Sequence, residues 1–351
     1  VAMSSIKDVA RLAGVSVTTV SHVLNKTRAV LPATQERVLE AVQTLGYVPS
    51  AVARSLKINA THTIGMLVPD NSNPYFAELV RAVEDACFAA GYALLLCNTD
   101  NHAGRQQVYL DVLSQKRVDG LIVASTSDDA LMSQHLAQTA LPMVLIDRAI
   151  VGLERPCVQT DHVQGGMLAT QHLMALGRKR IACVGGPQDL QSSEQRVQGW
   201  RQALQLVGLP SDLLVHGDFT ANGGYVAMRR LLRDRAADRP TAIFACNDLM
   251  AMGALRAVHE AGLQVPRDVA VVGYDDIELA GYTQPALTTV AQPTQAMAEQ
   301  ALAWLLERIQ AGRGAEPVAA ATQLLVPALV TRESSRSLAR AAVPIAIGEN
   351  L

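Results

Sequence analysis

Along the first 48 residues, apolar side chains recur three and four positions apart, the spacing of one helical face, and turn residues interrupt the recurrence twice. Ser5-Ile6-Lys7-Asp8 has capping-box spacing, and Ile6, Val9, Ala10 and Ala13 follow as an apolar stripe until Gly14 ends it. Ser16 is a good N-cap for a second helix whose Val20, Val23 and Leu24 face inward, which leaves Val17, Thr18, Ser21 and His22 outward. A third amphipathic stretch runs from Pro32 to Leu45. Its Val38, Leu39, Val42 and Leu45 are available to close a small core, and Gly46 ends the helix. After Pro49, Ser50 to Lys57 form a capped stretch of about two turns, well short of the ~12–15 residues an isolated helix needs in water. Its Ala51, Val52, Ala53 and Leu56 need an apolar partner, and the simplest is the same segment of a second subunit.

From Thr61 the period changes. THTIGMLVPD, YALLLCNTD, DGLIVAST and PMVLIDR are short apolar runs separated by amphipathic segments, and RIACVGG, DLLVHGDF, TAIFACND and DVAVVGYDD repeat the rhythm. This β-α-β alternation, occurring twice, predicts an α/β body of two doubly wound parallel-sheet lobes with ligands at the carboxyl ends of the strands. The expected organisation is an all-α helix-turn-helix head at 1–48, a hinge helix and linker at 49–61, a two-lobed body at 62–334, and a tail at 335–351. The tail carries no heptad repeat, so a loose segment is expected there rather than a coiled coil.

Composition adds limits. With 351 residues, 49% apolar and 18% charged, the chain is long enough for about two domains with a sizeable core. It contains no run of about 18 uncharged apolar residues, and its start, VAMSSIKDVA, lacks a basic-then-apolar signal pattern, so a cytoplasmic location and no membrane partner are expected. Cys87, Cys97, Cys157, Cys183 and Cys246 lie scattered among apolar residues without a CxxC pair, which fits reduced, buried thiols better than disulfides or zinc. The net charge of −2 argues against nucleic acid until it is divided. Residues 1–60 carry seven cations against three carboxylates, +4, while the remainder carries 23 against 29, −6. A basic head on an acidic body is the distribution of a polyanion reader joined to a domain that does not itself bind the polyanion.

Two short helices across a three-residue turn, the second exposing small polar residues, match the helix-turn-helix arrangement whose second helix enters the major groove. The same spacing also fits a plain three-helix cap, and Ser50 to Lys57 also fits an ordinary linker. Leu56 next to Lys57 suits the minor groove, an apolar wedge between base steps beside a cation that tracks the negative groove. In the body the strands end in Asp70-Asn71-Ser72-Asn73-Pro74-Tyr75-Phe76, Asp147-Arg148, Asn247-Asp248, Asp275-Asp276 and Gln292-Pro293. Carboxylates, amides and an arginine beside aromatics are the mixture that holds a neutral polyhydroxylated ligand: paired donors and acceptors fix hydroxyls, and aromatic faces cover the apolar side of a ring. Only 13 residues are aromatic, yet Tyr75, Phe76, Trp200 and Phe219 fall at or near these segments. The alternative is that Asn and Asp cap the following helices while the aromatics fill core. Nothing forms a persuasive catalytic group. There is no GxxxxGK[ST], no GxGxxG after the first strand and no HExxH, and Asp275 and Asp276, adjacent on a strand end, are expected to diverge, one to a ligand and one to a helix cap. Neither catalysis, nor a cofactor, nor a metal is expected.

The segments DVARLAGVSVTTVSHVLNKTR, GYVPSAVARSLK and THTIGML closely resemble the LacI family of bacterial repressors, especially its ribose- and purine-responsive members, and the likeness runs from about Ile6 to Glu333. The resemblance implies a homodimer on a near-palindromic double-stranded operator, controlled by a small effector, a pentose such as ribose before other choices. It places Val17, Thr18 and His22 at base-reading positions, Ser21, Lys26 and Arg28 among the DNA contacts, and Leu56 as the intercalating residue with Lys57 and Ala53 beside it in the hinge. It brings Asn73, Tyr75, Phe76, Asp147, Arg148, Arg196, Phe219, Asn247, Asp275 and Gln292 to an effector pocket of the periplasmic sugar-binding type. Two positions depart from the pattern. Leu31 stands where relatives often have Ser or Thr before the third helix, and Glu194 stands where sugar-binding relatives commonly have Arg, two residues before Arg196.

Overall fold

A computed structural model of the chain describes residues 4–48, 60–124, 130–188, 190–312 and 321–336. They fall into two units, Val1–Thr61 and His62–Leu351. The expected hinge helix, with Ala53, Leu56 and Lys57, lies outside the described residues, as does the chain beyond Arg336.

The smaller unit holds three helices, α1 (Ile6–Ala13), α2 (Val17–Asn25) and α3 (Pro32–Thr44). Asp8 accepts from the backbone N–H of Ser5 at 3.0 Å and from its hydroxyl at 2.6 Å, which ties down the start of α1 and holds the Asp8 carboxyl below its usual range. Gly14 ends α1 in the left-handed conformation, φ 64°, so that the Val15 amide reaches the Ala10 carbonyl. Ser16 accepts from the Thr19 amide at 3.0 Å and starts α2. Val9, Ala10, Ala13, Val20, Val23, Val38 and Ala41 form the core, with Leu24, Val42 and Leu45 half-buried around it. Leu39 departs from expectation: it is 48% exposed, and Ala41 takes the inward place. The reason is angular, since 38, 41, 42 and 45 share one face of a 3.6-residue helix and 39 lies about 100° away. At the start of α3, Leu31 offers no side chain to the free amides, and it is 75% exposed. Leu31→Asp should therefore stabilise the head by about 1 kcal/mol. Thermal unfolding of the head checks this, and an unchanged or lower midpoint refutes it.

The larger unit has two parallel sheets. The first lobe contains β1 (Thr63–Val68), α4 (Pro74–Ala89), β2 (Ala93–Asn98), α5 (Ala103–Gln115), β3 (Gly120–Ala124), α6 (Ala130–Gln138), β4 (Met143–Ile146) and β5 (Cys157–Thr160). The second contains α7 (His162–Ala175), β6 (Ile181–Gly185), α8 (Gln191–Leu206), β7 (Leu214–His216), α9 (Ala221–Asp234), β8 (Ala242–Ala245), α10 (Asp248–Glu260) and β9 (Ala270–Val272). A 3₁₀ turn, Glu278–Tyr282, leads to β10 (Thr289–Ala291), α11 (Thr294–Ala311), β11 (Thr322–Leu325) and β12 (Ala328–Val330). Strand order is β11-β5-β4-β3-β1-β2 in one sheet and β7-β6-β8-β9 in the other, all parallel, while β10 and β12 pair antiparallel.

All eight anticipated runs are strands, but the chain is not two consecutive repeats. It passes between the lobes three times, between Thr160 and His162, between Ala291 and Thr294, and between Leu325 and Ala328, so β11 and α11 complete the first lobe late in the chain. Three such connections tie the two lobes of the body together. The packed body also runs past the expected boundary at 334. Ser335 is buried, its hydroxyl between His172 Nε2 at 2.7 Å and Thr288 Oγ1 at 2.8 Å. The five cysteines are free and buried, with Cys183 and Cys246 sulfurs 3.9 Å apart, and burial raises the Cys157 thiol to about 12. Among the described residues no helix is long and apolar enough to cross a membrane.

Candidate functional site: a buried polar cluster between two lobes, and a separate helix-turn-helix face

The strand ends and crossings meet in one buried polar cluster. From the first lobe, Tyr75 sits in the opening turn of α4, and its hydroxyl donates to Asp147 Oδ1 at 2.5 Å, just beyond β4. Its ring meets Phe76 edge-on at 5.1 Å, and Arg148 is buried next to Asp147. From the crossings, the Thr160 hydroxyl donates to Gln292 Oε1 at 2.7 Å, and Gln292 Nε2 donates to Asp275 Oδ1 at 2.8 Å. From the second lobe, Arg196 on α8 donates to the Cys246 carbonyl at 2.6 Å and lies 3.5 Å from Asp275, with its guanidinium stacked 4.0 Å from the Tyr274 ring and 5.8 Å from that of Phe219. Asp275 thus pairs with the Arg196 guanidinium, while Asp147 lies in the field of both Arg196 and Arg148, and all four side chains are buried.

The electrostatics follow from burial. Desolvation outweighs the nearby arginines for both acids, raising Asp147 above its ordinary value and Asp275 to about 7. His162 is pushed the other way, well below 6.5, first by burial and then by Arg196. Arg196 Nε donates to His162 Nδ1 at 3.4 Å, so the neutral ring carries its proton on Nε2. Asp147, Phe219, Asp275 and Asp276 all have positive φ, at 79°, 67°, 113° and 61°. Non-glycine residues in that region are strained, and here they gather at the ends of the strands where the polar side chains converge.

Of the ten anticipated pocket residues, Tyr75, Asp147, Arg196, Asp275 and Gln292 are joined directly, with Phe76, Arg148 and Phe219 packed beside them. The amides divide their roles. Asn73 accepts from the Tyr75 amide and caps α4, while Asn247 accepts from Met250 and donates to the Phe219 carbonyl, so it caps α10 and fixes the Phe219 loop. The capping alternative is therefore realised at both. Asp276 corrects a different expectation: it pairs with Arg332 at 2.7 Å instead of capping a helix. At the departing position, Glu194 is exposed, and Arg196 holds the only guanidinium of α8 in the cluster. Thr160, His162 and Tyr274, all buried in the cluster, were not anticipated. Thr160 ends, and His162 follows, a strand of four residues, CVQT, whose Gln breaks the apolar run that would announce it.

In the head, Val17 and Thr18 are exposed, while Ser21 and His22 are half-buried on the same side of α2. Lys26 closes α2 with φ 51°, and Arg28 is exposed just beyond it. The structure thus presents one small polar helical face with two cations at its C-terminal end.

Comparison with known proteins accounts for both units. Residues 5–50 match the family described as bacterial regulatory proteins, lacI family, and residues 61–325 match periplasmic binding proteins and sugar binding domain of LacI family. The chain belongs to the LacI family. It is a DNA-binding transcriptional repressor with an effector-regulated body. The ribose operon repressor of Escherichia coli K12 is 47% identical over 311 residues, 88% of this chain and 93% of that protein. The HTH-type transcriptional repressor PurR of Aliivibrio salmonicida is 45% identical, over the same shares of both chains. Among solved structures, the lac repressor dimer bound to operator and the anti-inducer ONPF is similar with a TM-score of 0.85 at 29% identity, covering 95% of this chain and 99% of that one. These relatives are repressors, in keeping with the expectation that the chain is not an enzyme.

Proposed function

We propose that this LacI-family repressor is a cytoplasmic homodimer that binds a near-palindromic operator and is released from it by a pentose, D-ribose foremost. The observation that carries the ligand reading is the buried cluster in which Tyr75, Asp147, Arg196, Asp275 and Gln292, drawn from both lobes, converge. Carboxylates and a guanidinium fork pair with vicinal hydroxyls, and the Phe219 and Phe76 rings cover the apolar face of a sugar. Head residues Val17, Thr18 and His22 read bases, and Arg28 contributes a phosphate contact. The hinge segment 49–61, with Ala53, Leu56 and Lys57, opens the central minor groove. Ribose acts by binding one lobe arrangement more tightly than the other, which disfavours the DNA-bound hinge pairing.

Gel-shift titration of the full chain on palindromic duplexes, with ribose, other pentoses, hexoses and purines added in turn, tests this. Release by ribose supports induction. Tighter binding with a purine instead identifies a corepressor, the reading favoured by the likeness to PurR, and insensitivity to every pentose sinks the ligand assignment. Phe219→Ala should weaken sugar binding about tenfold, by loss of ring stacking, while leaving operator affinity without sugar unchanged. Sugar titration by calorimetry reads the first effect, and an unaltered sugar affinity refutes it.

A further inference from the structure

The recognition helix closes most of its polar side chains on itself. Ser16 and Thr19 hydroxyls lie 2.9 Å apart, and Asn25 Nδ2 donates to the Ser21 carbonyl at 2.9 Å and to its hydroxyl at 3.2 Å. At the end of α2 the left-handed Lys26 reverses the chain and carries Thr27 back beside the last turn. There the Thr27 hydroxyl lies 2.8 Å from His22 Nδ1. With Nδ1 held from within, Nε2 is the ring nitrogen left to meet DNA.

We propose that Thr27 is a positioning residue for operator reading: its hydroxyl fixes the His22 ring so that the Nε2 N–H donates to guanine in the major groove. The proposal rests on the reading of the head as operator-binding. A threonine hydroxyl both donates and accepts. Toward a neutral ring it donates to the Nδ1 lone pair, and toward a charged ring it accepts from Nδ1–H, and both arrangements leave a proton on Nε2. A single outward donor matches guanine best. Guanine presents N7 and O6 side by side, whereas adenine sets its amino donor beside N7 and thymine sets a methyl beside O4. The reverse arrangement, with Nδ1–H donating to Thr27 in a neutral ring, leaves Nε2 as an acceptor that selects the amino groups of cytosine or adenine.

Selection of the full-length protein against randomised palindromic duplexes, followed by binding titrations, decides between these. The expected result is one His22-dependent guanine per half-site, favoured about tenfold, lost in His22→Ala and weakened when 7-deazaguanine replaces that base. Thr27→Val should cut the preference below about threefold, with helix content by circular dichroism and affinity for non-specific DNA unchanged, and Thr27→Ser should keep it. Thr27→Val with undiminished preference overturns the proposal, as does a His22-dependent cytosine or adenine in the wild-type selection. No selected sequence at all would instead overturn the operator reading itself, and this proposal with it.

Discussion

Gly199→Ala is expected to destabilise the body by about 3 kcal/mol, although intrinsic helix propensity favours alanine over glycine by about 1 kcal/mol. The sign reverses because α7 and α8 cross with backbone against backbone. A β-carbon at Gly199 would stand 2.1 Å from the Val163 carbonyl oxygen and 2.8 Å from the Met167 amide nitrogen, and one at the facing Gly166 would stand 2.2 Å from the Arg196 carbonyl oxygen. None of these atoms is the free end of a flexible side chain, so relief requires the helices to separate and a well-packed interface to open. Because α8 carries Arg196, the same displacement should blunt the response to effector. Gly281→Ala is the control, since a β-carbon there meets nothing within 4 Å. Thermal unfolding of both variants checks the pair. Equal midpoints for Gly199→Ala and the parent would show that the two helices do not approach as described.

The elements that the sequence made legible are those governed by local spacing. The Ser5 and Ser16 caps, the Gly14 stop and the eight apolar strand runs each depend on a few neighbouring residues, and each is present. What local spacing cannot carry is order along the chain versus order in space. β11 joins β5 from more than 150 residues away, and its partly exposed TQLL has no apolar run to announce it. The pocket divides along the same line. Tyr75, Asp147 and Asp275 follow conspicuous strands and were legible as strand-end polar residues. Thr160 ends an inconspicuous strand and His162 follows it, and Tyr274 reads as core until Arg196 is seen stacked upon it. Asn73 and Asn247 show the limit from the other side, since capping and ligand recognition call for the same residue types at the same strand-to-helix turn.

Replacing Arg196 with methionine is the more severe change, with an expected loss of about 3–5 kcal/mol at neutral pH and no sugar-induced rise in the thermal midpoint. Methionine fills much of the same volume, so packing is nearly kept and the charge is what goes. Asp275 then remains buried without the cation it pairs with, Asp147 loses Arg196 while keeping Arg148 beside it, and the Cys246 carbonyl loses its donor. The deficit should depend on pH in a definite direction. Asp275 is already raised to about 7 by burial against a value of ~4 in the unfolded chain, so the folded state binds the proton more tightly between those values. Its ionisation therefore removes stability as pH rises through that window. Without Arg196, which pulls the folded value down, the window extends upward, and the variant falls further behind the parent at pH 8 than at pH 5. Protonation at low pH neutralises the abandoned carboxyl and narrows the gap. Thermal midpoints of both proteins at pH 5, 6, 7 and 8 measure it. A gap that stays constant across that range would mean that Asp275 is not held by Arg196, and that the cluster does not work as one charge-balanced unit.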